Sequence, residues 1–154
     1  METLLPLAER VGALLKARGE TIAVAESSSG GLISAALLAV PGASAYFLGG
    51  AVAYTLPSRL TLLAMAREEI VRSSEQSALF LARAARRQLD ATWGLAETGA
   101  AGPTGPSGRT FVAVTGAVEA SRHVETGVGD RVENMRAFAR EALMLLLETL
   151  SPPA

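Results

Sequence analysis

Apolar residues recur at helical spacing from the start of the chain, at Leu4, Leu7, Val11, Leu14 and Leu15. They predict a helix with Thr3 as N-cap and Gly19 as its stop. Thr21–Ala25 is a short β-branched run and reads as a strand. After it comes Glu26-Ser27-Ser28-Ser29-Gly30-Gly31, then an apolar helix from about Leu32 to Val40, broken by Pro41-Gly42. Phe47–Thr55 reads as a second strand, and Pro57 opens a short helix through about Met65. Ser73 or Ser74 caps a helix running to about Leu89. Thr92–Thr98 is a third strand, Gly99–Gly108 a Gly/Pro-rich loop, and Arg109–Val118 a fourth strand with Ser121–Val128 as its hairpin partner. Asp130 starts a helix through about Leu150, and the tail 151–154 is expected to fray.

Strands interleaved with helices predict an α/β fold. The expected form is a three-layer α/β/α sandwich with a mixed, mostly parallel sheet, built as one domain over residues 1–154. With aromatics at 5% of 154 residues, the core must be built from Ala, Leu and Val. The net charge of −1 and the scattered basic residues argue against a nucleic-acid partner. The absence of cysteine excludes disulfides and thiol nucleophiles, and a single histidine, His123, excludes a multi-histidine metal site. No metal and no cofactor is expected. No apolar run reaches membrane-spanning length and the N-terminus lacks a signal-peptide layout, so the expected location is cytoplasmic, with no membrane partner.

Four segments carry polar residues where chemistry could occur. The loop Ser27–Gly31 enters a helix N-terminus and either binds a phosphate or carboxylate or simply caps the helix. It lacks the Gly-Lys pair of a P-loop. Ser44 follows a helix end and Tyr54 lies on the next strand; they are either a nucleophile with a partner or a turn residue and a core tyrosine. The loop from Thr98 through Ala101 and Gly102 follows a strand, where open α/β sheets bind ligands, or is an ordinary connection. Asp130 caps the last helix, and Arg131 either forks onto an anion or lies on the surface.

Taken in order, the chain resembles the CinA C-terminal domain family, which includes the nicotinamide-mononucleotide amidases. The matching stretches are Ala25–Gly31 against A-E-S-C-T-G-G, Pro41–Phe47 against P-G-S-S-A-x-F, Val52–Thr55 within V-T-Y-S-N-x-x-K, Thr98–Pro103 against T-G-I-A-G-P, and Gly129-Asp130-Arg131 against G-D-R. The resemblance implies hydrolysis of the carboxamide of nicotinamide mononucleotide. The family's nucleophile then falls on Ser44, with Tyr54 beside it, the family lysine on Arg59, and further polar contacts on Thr98 and Arg131. The segments Ser27, Ser29-Gly30-Gly31 and Ala101-Gly102 would line the pocket of a small nucleotide substrate. A homodimer is expected.

The chain departs from the family pattern at three places. Arg59 replaces the lysine and cannot act as a neutral base; Lys16, the only lysine, lies on the first helix. In its place, Arg59 would support a tyrosinate at Tyr54 as the base. Thr104–Gly108 is shorter than the family loop and lacks its lysine, and Leu56-Pro57 replaces an asparagine and a helix former. The expected function is therefore amide hydrolysis on a pyridine nucleotide. The alternatives are a nucleotide-binding or regulatory protein that has lost its base, and a pure interaction domain.

Overall fold

The computed structural model describes residues 1–152; Pro153 and Ala154, half of the tail expected to fray, lie outside them. Five helices and five strands follow in the order α1 (Leu5–Arg18), β1 (Ile22–Glu26), α2 (Leu32–Leu38), β2 (Phe47–Val52), α3 (Leu56–Leu62), α4 (Glu75–Leu89), β3 (Trp93–Ala100), β4 (Arg109–Thr115), β5 (Ala120–Glu125) and α5 (Arg131–Leu150). Short 3₁₀ turns at Ala43–Ala45 and Arg67–Glu69 complete the path; the second has no counterpart in the sequence pattern.

The strands form one mixed sheet in the order β2-β1-β3-β4-β5. β1 pairs in parallel with β2 and β3, and β3-β4-β5 continue antiparallel. Alternation along the strands sorts the core into two layers. Ile22, Val24, Trp93, Leu95, Val112 and Val114 meet α1, α2 and α5 on one face. Ala23, Ala25, Ala96 and Ala113 meet α4 and the Leu63–Met65 segment on the other. Alanines on both sides let α4 lie very close to the sheet. A Cβ on Gly94 would collide with the backbone carbonyl of Ala82, so that strand position admits no side chain. No helix among the described residues is long and apolar enough to cross a membrane.

Several boundaries differ from the pattern for local reasons. Thr3 does not cap α1: Leu4 holds the cap position without a side-chain bond, and the Met1 carbonyl accepts the Leu4 and Leu5 N–H groups. β2 stops at Val52 because Thr55 turns to cap α3, accepting from Ser58 N at 3.4 Å. β4 stops at Thr115, whose hydroxyl donates to Glu119 at 2.6 Å and fixes the hairpin turn. The core tyrosine is Tyr46, fully buried with its hydroxyl donating to Leu37 O at 2.6 Å, whereas Tyr54 is 54% exposed. Burial pushes the Tyr46 phenol up from its ordinary value.

Two predictions follow from these contacts. Gly94→Ala is expected to lower stability by about 1–3 kcal/mol, since neither strand nor helix backbone yields easily; a urea melt of both proteins measures it. Glu119 is held down to about 2 by the Arg83 guanidinium, which donates to it at 2.6 and 2.7 Å, and by the Thr115 hydroxyl. Its unfolded value is the ordinary 4.5, so the carboxylate's contribution is present above that pH and is lost as pH falls toward 2. The stability gap between the wild type and Glu119→Gln should hold steady from neutral pH to about 5 and narrow below it. Urea melts at pH 7, 4 and 3 would show a constant gap if the pair did not contribute.

Candidate functional site

The C-terminal ends of β1 and β3 carry a glutamate each, and the register sets Glu26 directly beside Glu97. Both side chains are buried, at 1% and 0% exposure. Such a pair is tolerable only with full hydrogen bonding. Glu26 accepts from Ser29 Oγ at 2.7 Å and from the backbone N–H of Gly31 (3.1 Å), Ile33 (3.0 Å) and Ser34 (2.8 Å). Glu97 accepts from Ser27 N (3.2 Å), Ser29 N (2.8 Å), Ser28 Oγ (2.5 Å) and Thr110 Oγ1 (2.6 Å). Glu26 thereby caps α2 from the preceding strand, a place where Gly31 offers no side chain of its own.

This corrects the reading of Ser29, Gly30 and Gly31 as a nucleotide cradle. The Ser29 hydroxyl and the Gly31 N–H belong to Glu26, and Gly30 N donates to Ser27 O at 3.1 Å. An added phosphate would meet two carboxylates instead of free donors. Ser27 differs from its neighbours. Its N–H continues the ladder to Glu97 O at 3.0 Å, but its hydroxyl makes no hydrogen bond among the described residues.

On the α4 face, one residue past Glu97, Thr98 gathers two polar groups. Arg59 from α3 donates to Thr98 Oγ1 at 3.2 Å and to Ala53 O at 3.1 Å, and Ser73 Oγ lies 3.4 Å from Thr98 Oγ1. Partial burial pushes the Arg59 guanidinium down from its ordinary value, and the Glu97 carboxylate pulls it back up. Among the described residues Arg59 makes no hydrogen bond to Tyr54, which the tyrosinate reading would place beside it. The guanidinium at Tyr54 belongs to Arg131, which donates to Tyr54 Oη at 3.2 Å and to Gly102 O at 2.6 Å. Arg131 thus ties the Tyr54 segment to the loop after β3.

Ser44 is not brought to this group. It lies exposed in the 3₁₀ turn before β2, at the end of the sheet where Ile22 pairs with Phe47. The strand β2 separates it from Tyr54 by about 17 Å. The arrangement of Ser44 with Tyr54, Arg59 and Thr98 therefore does not form within one chain. Lys16 packs against the Gly42 turn, near Ser44 and away from Thr98.

Residues 4–150 match the family model described as the CinA C-terminal domain. The chain belongs to that family. It is 37% identical over 158 residues to a putative competence-damage inducible protein of Halothermothrix orenii, covering 97% of this chain and 38% of that protein. A CinA-like protein of Anaeromyxobacter sp. is 41% identical over 150 residues, covering 91% of this chain and 36% of its own length. The chain thus spans well under half the length of these curated relatives. Among solved structures, the competence/damage inducible protein CihA of Agrobacterium tumefaciens superposes with a TM-score of 0.90 at 30% identity, covering 97% of this chain and 96% of that one. A CinA superfamily protein of Klebsiella pneumoniae gives 0.88 at 26% identity, covering 96% and 97%.

Within this CinA C-terminal domain fold, the motifs at Ala25–Gly31, Val52–Thr55, Thr98–Pro103 and Gly129–Arg131 converge on one end of the sheet, and Pro41–Phe47 lies at the other. Asn134 joins two of them and was not visible as a site residue. It is fully buried, donates to Ala101 O at 2.8 Å and Val128 O at 2.9 Å, and accepts from Thr126 Oγ1 at 2.6 Å. The carbonyls of Ala101 and Gly102 are therefore held by α5. Glu97 and Ser73 also escaped notice. A glutamate directly after the apolar Trp93–Ala96 run was the available signal for the first; Ser73 reads only as a cap.

Glu26→Ala orphans three backbone N–H groups of α2 and is expected to destabilise the fold by more than about 3 kcal/mol. Thermal unfolding monitored by circular dichroism reads this directly; a loss near zero would show that water replaces the carboxylate.

Proposed function

We propose that the chain is an amidohydrolase that converts nicotinamide mononucleotide to nicotinate mononucleotide and ammonia. The observation that carries this reading is the free Ser27 hydroxyl set beside the Thr98–Arg59 pair, at the end of a parallel β1–β3 ladder where α/β sheets bind ligands. Membership of the CinA C-terminal domain family supports the substrate class. In this reading Ser27 Oγ attacks the carboxamide carbon. Tyr54 Oη, oriented by Arg131, takes up the Ser27 proton as it gives its own to the leaving nitrogen, so that ammonia departs as the C–N bond breaks. Arg59 and Thr98 donate to the oxygen that gains charge, a role a permanent cation fills well. Water then attacks the acyl-serine, releasing the carboxylate and restoring Ser27. The proposed setting is a cytoplasmic homodimer; the unpaired edge of β2, with exposed Leu48 and Val52, supports association.

A second reading is favoured by Arg59 itself. Its Nε and one terminal nitrogen both serve as donors, so it contributes no base. A protein that binds the nucleotide and no longer hydrolyses it would look the same at this position.

Ammonia release from nicotinamide mononucleotide separates the readings. We expect turnover in the wild type, a fall of about 100-fold or more in Ser27→Ala, and near-wild-type turnover in Ser44→Ala. Loss in Ser44→Ala alone would assign the nucleophile to Ser44 and require a second copy to complete the site. No release from the wild type, with the nucleotide raising the melting temperature, would establish the binding reading.

A further inference from the structure

Beyond Ser73, on the α4 face of the sheet, a cleft of about 220 Å³ opens between Arg72, Ser73, Arg109 and Phe111, with the Gly99–Ala100 backbone as one wall and Pro106 at the rim. It adjoins the candidate site through the 3.4 Å contact of Ser73 Oγ with Thr98 Oγ1. Its charged walls are two guanidiniums. Arg72 is exposed and makes no ion pair or hydrogen bond among the described residues. Arg109 reaches Glu125 at 3.5 Å, but that carboxylate is 62% exposed and also faces His123 at 3.4 Å. Such a solvated pair is weak and yields to a better partner. The floor is the Phe111 ring, stiffened by stacking on His123 with centroids 4.7 Å apart.

From this geometry we infer that the cleft between Arg72 and Arg109 is a binding site for a phosphate monoester. Two guanidinium forks converging on one small volume match a dianion with three terminal oxygens. Phe111 and Pro106 give the cleft an apolar side, and the chain's net charge of −1 offers no basic track for a polynucleotide. The inference deepens the proposed function, on which it rests only for the remainder of the ligand. A nucleotide whose reacting amide meets Ser27 and Thr98 would extend past Ser73 and seat its phosphate here. Arg131, which the sequence offered as a fork for an anion, is engaged with Gly102 and Tyr54.

Titration calorimetry with ribose 5-phosphate and with ribose tests the site without any catalytic step. The wild type should bind the phosphate ester and not the free sugar. Arg72→Gln and Arg109→Gln should each weaken binding about tenfold or more, while Arg10→Gln, which removes the same charge from α1 on the opposite face, should leave it unchanged. Wild-type binding of neither compound, equal binding of both, or equal affinity in both cleft variants would overturn the proposal. Inorganic phosphate distinguishes two sources of the same chemistry. Competition with nicotinamide mononucleotide identifies the seat of the substrate's own phosphate; binding alongside the nucleotide identifies a site for free phosphate, and in either case the effect must vanish in the two variants. Arginine-dependent binding of ribose 5-phosphate by a protein that releases no ammonia would sink the amidase reading and leave the cleft standing.

Discussion

Two carboxylates buried side by side are the constraint around which this end of the molecule is organised. Glu26 and Glu97 stand on adjacent strands, both out of reach of solvent. Each must be surrounded by donors, and the Ser27–Ser34 segment supplies most of them. The serine- and glycine-rich character of that segment is thus answered from inside the protein. The same constraint gives Arg59 a role that does not depend on catalysis. The Glu97 carboxylate favours the charged form of Arg59. An arginine in place of lysine keeps that compensation and adds a rigid fork toward Thr98 and Ala53, at the cost of any proton-accepting role.

The second organising element is the start of α5. Asp130 caps it, accepting from Glu133 N at 2.9 Å. The first turns then spend their side chains on neighbouring loops. Arg131 and Asn134 take the carbonyls of Gly102 and Ala101, and Asn134 also takes that of Val128. The loop after β3 is thereby held by side-chain hydrogen bonds from α5, although glycine and proline dominate its composition. Preorganised walls of this kind hold a small ligand with little loss of freedom on binding.

Fold class and element order were legible because helical and strand periodicities are strong here and the Pro41-Gly42 break is unambiguous. Boundaries failed where a polar side chain diverts the backbone, as Thr55 does at the end of β2 and Thr115 at the end of β4. The site was legible in part. Arg59, expected to support Tyr54, donates instead to Thr98, and the guanidinium that donates to Tyr54 is that of Arg131. Motif order places residues along the chain, and strand direction decides which end of the sheet they occupy. Ser44 precedes β2 and Tyr54 follows it, so ten residues of sequence become the full height of the sheet. Glu97 and Asn134 stayed hidden because most of their partners lie on segments remote in sequence, which no local pattern records.

The position of Arg131 and Asn134 on the last helix has a consequence for biosynthesis. All three parallel strands, the glutamate pair and Thr98 precede residue 101, so a growing chain can assemble that ladder early. The groups that hold the Ala101–Gly102 loop and Tyr54 emerge from the ribosome some thirty residues later. The sheet is therefore complete in outline before this end of it is, and a nascent or C-terminally clipped chain would carry Ser27, Arg59 and Thr98 without the side chains that hold Tyr54 and the Ala101–Gly102 loop.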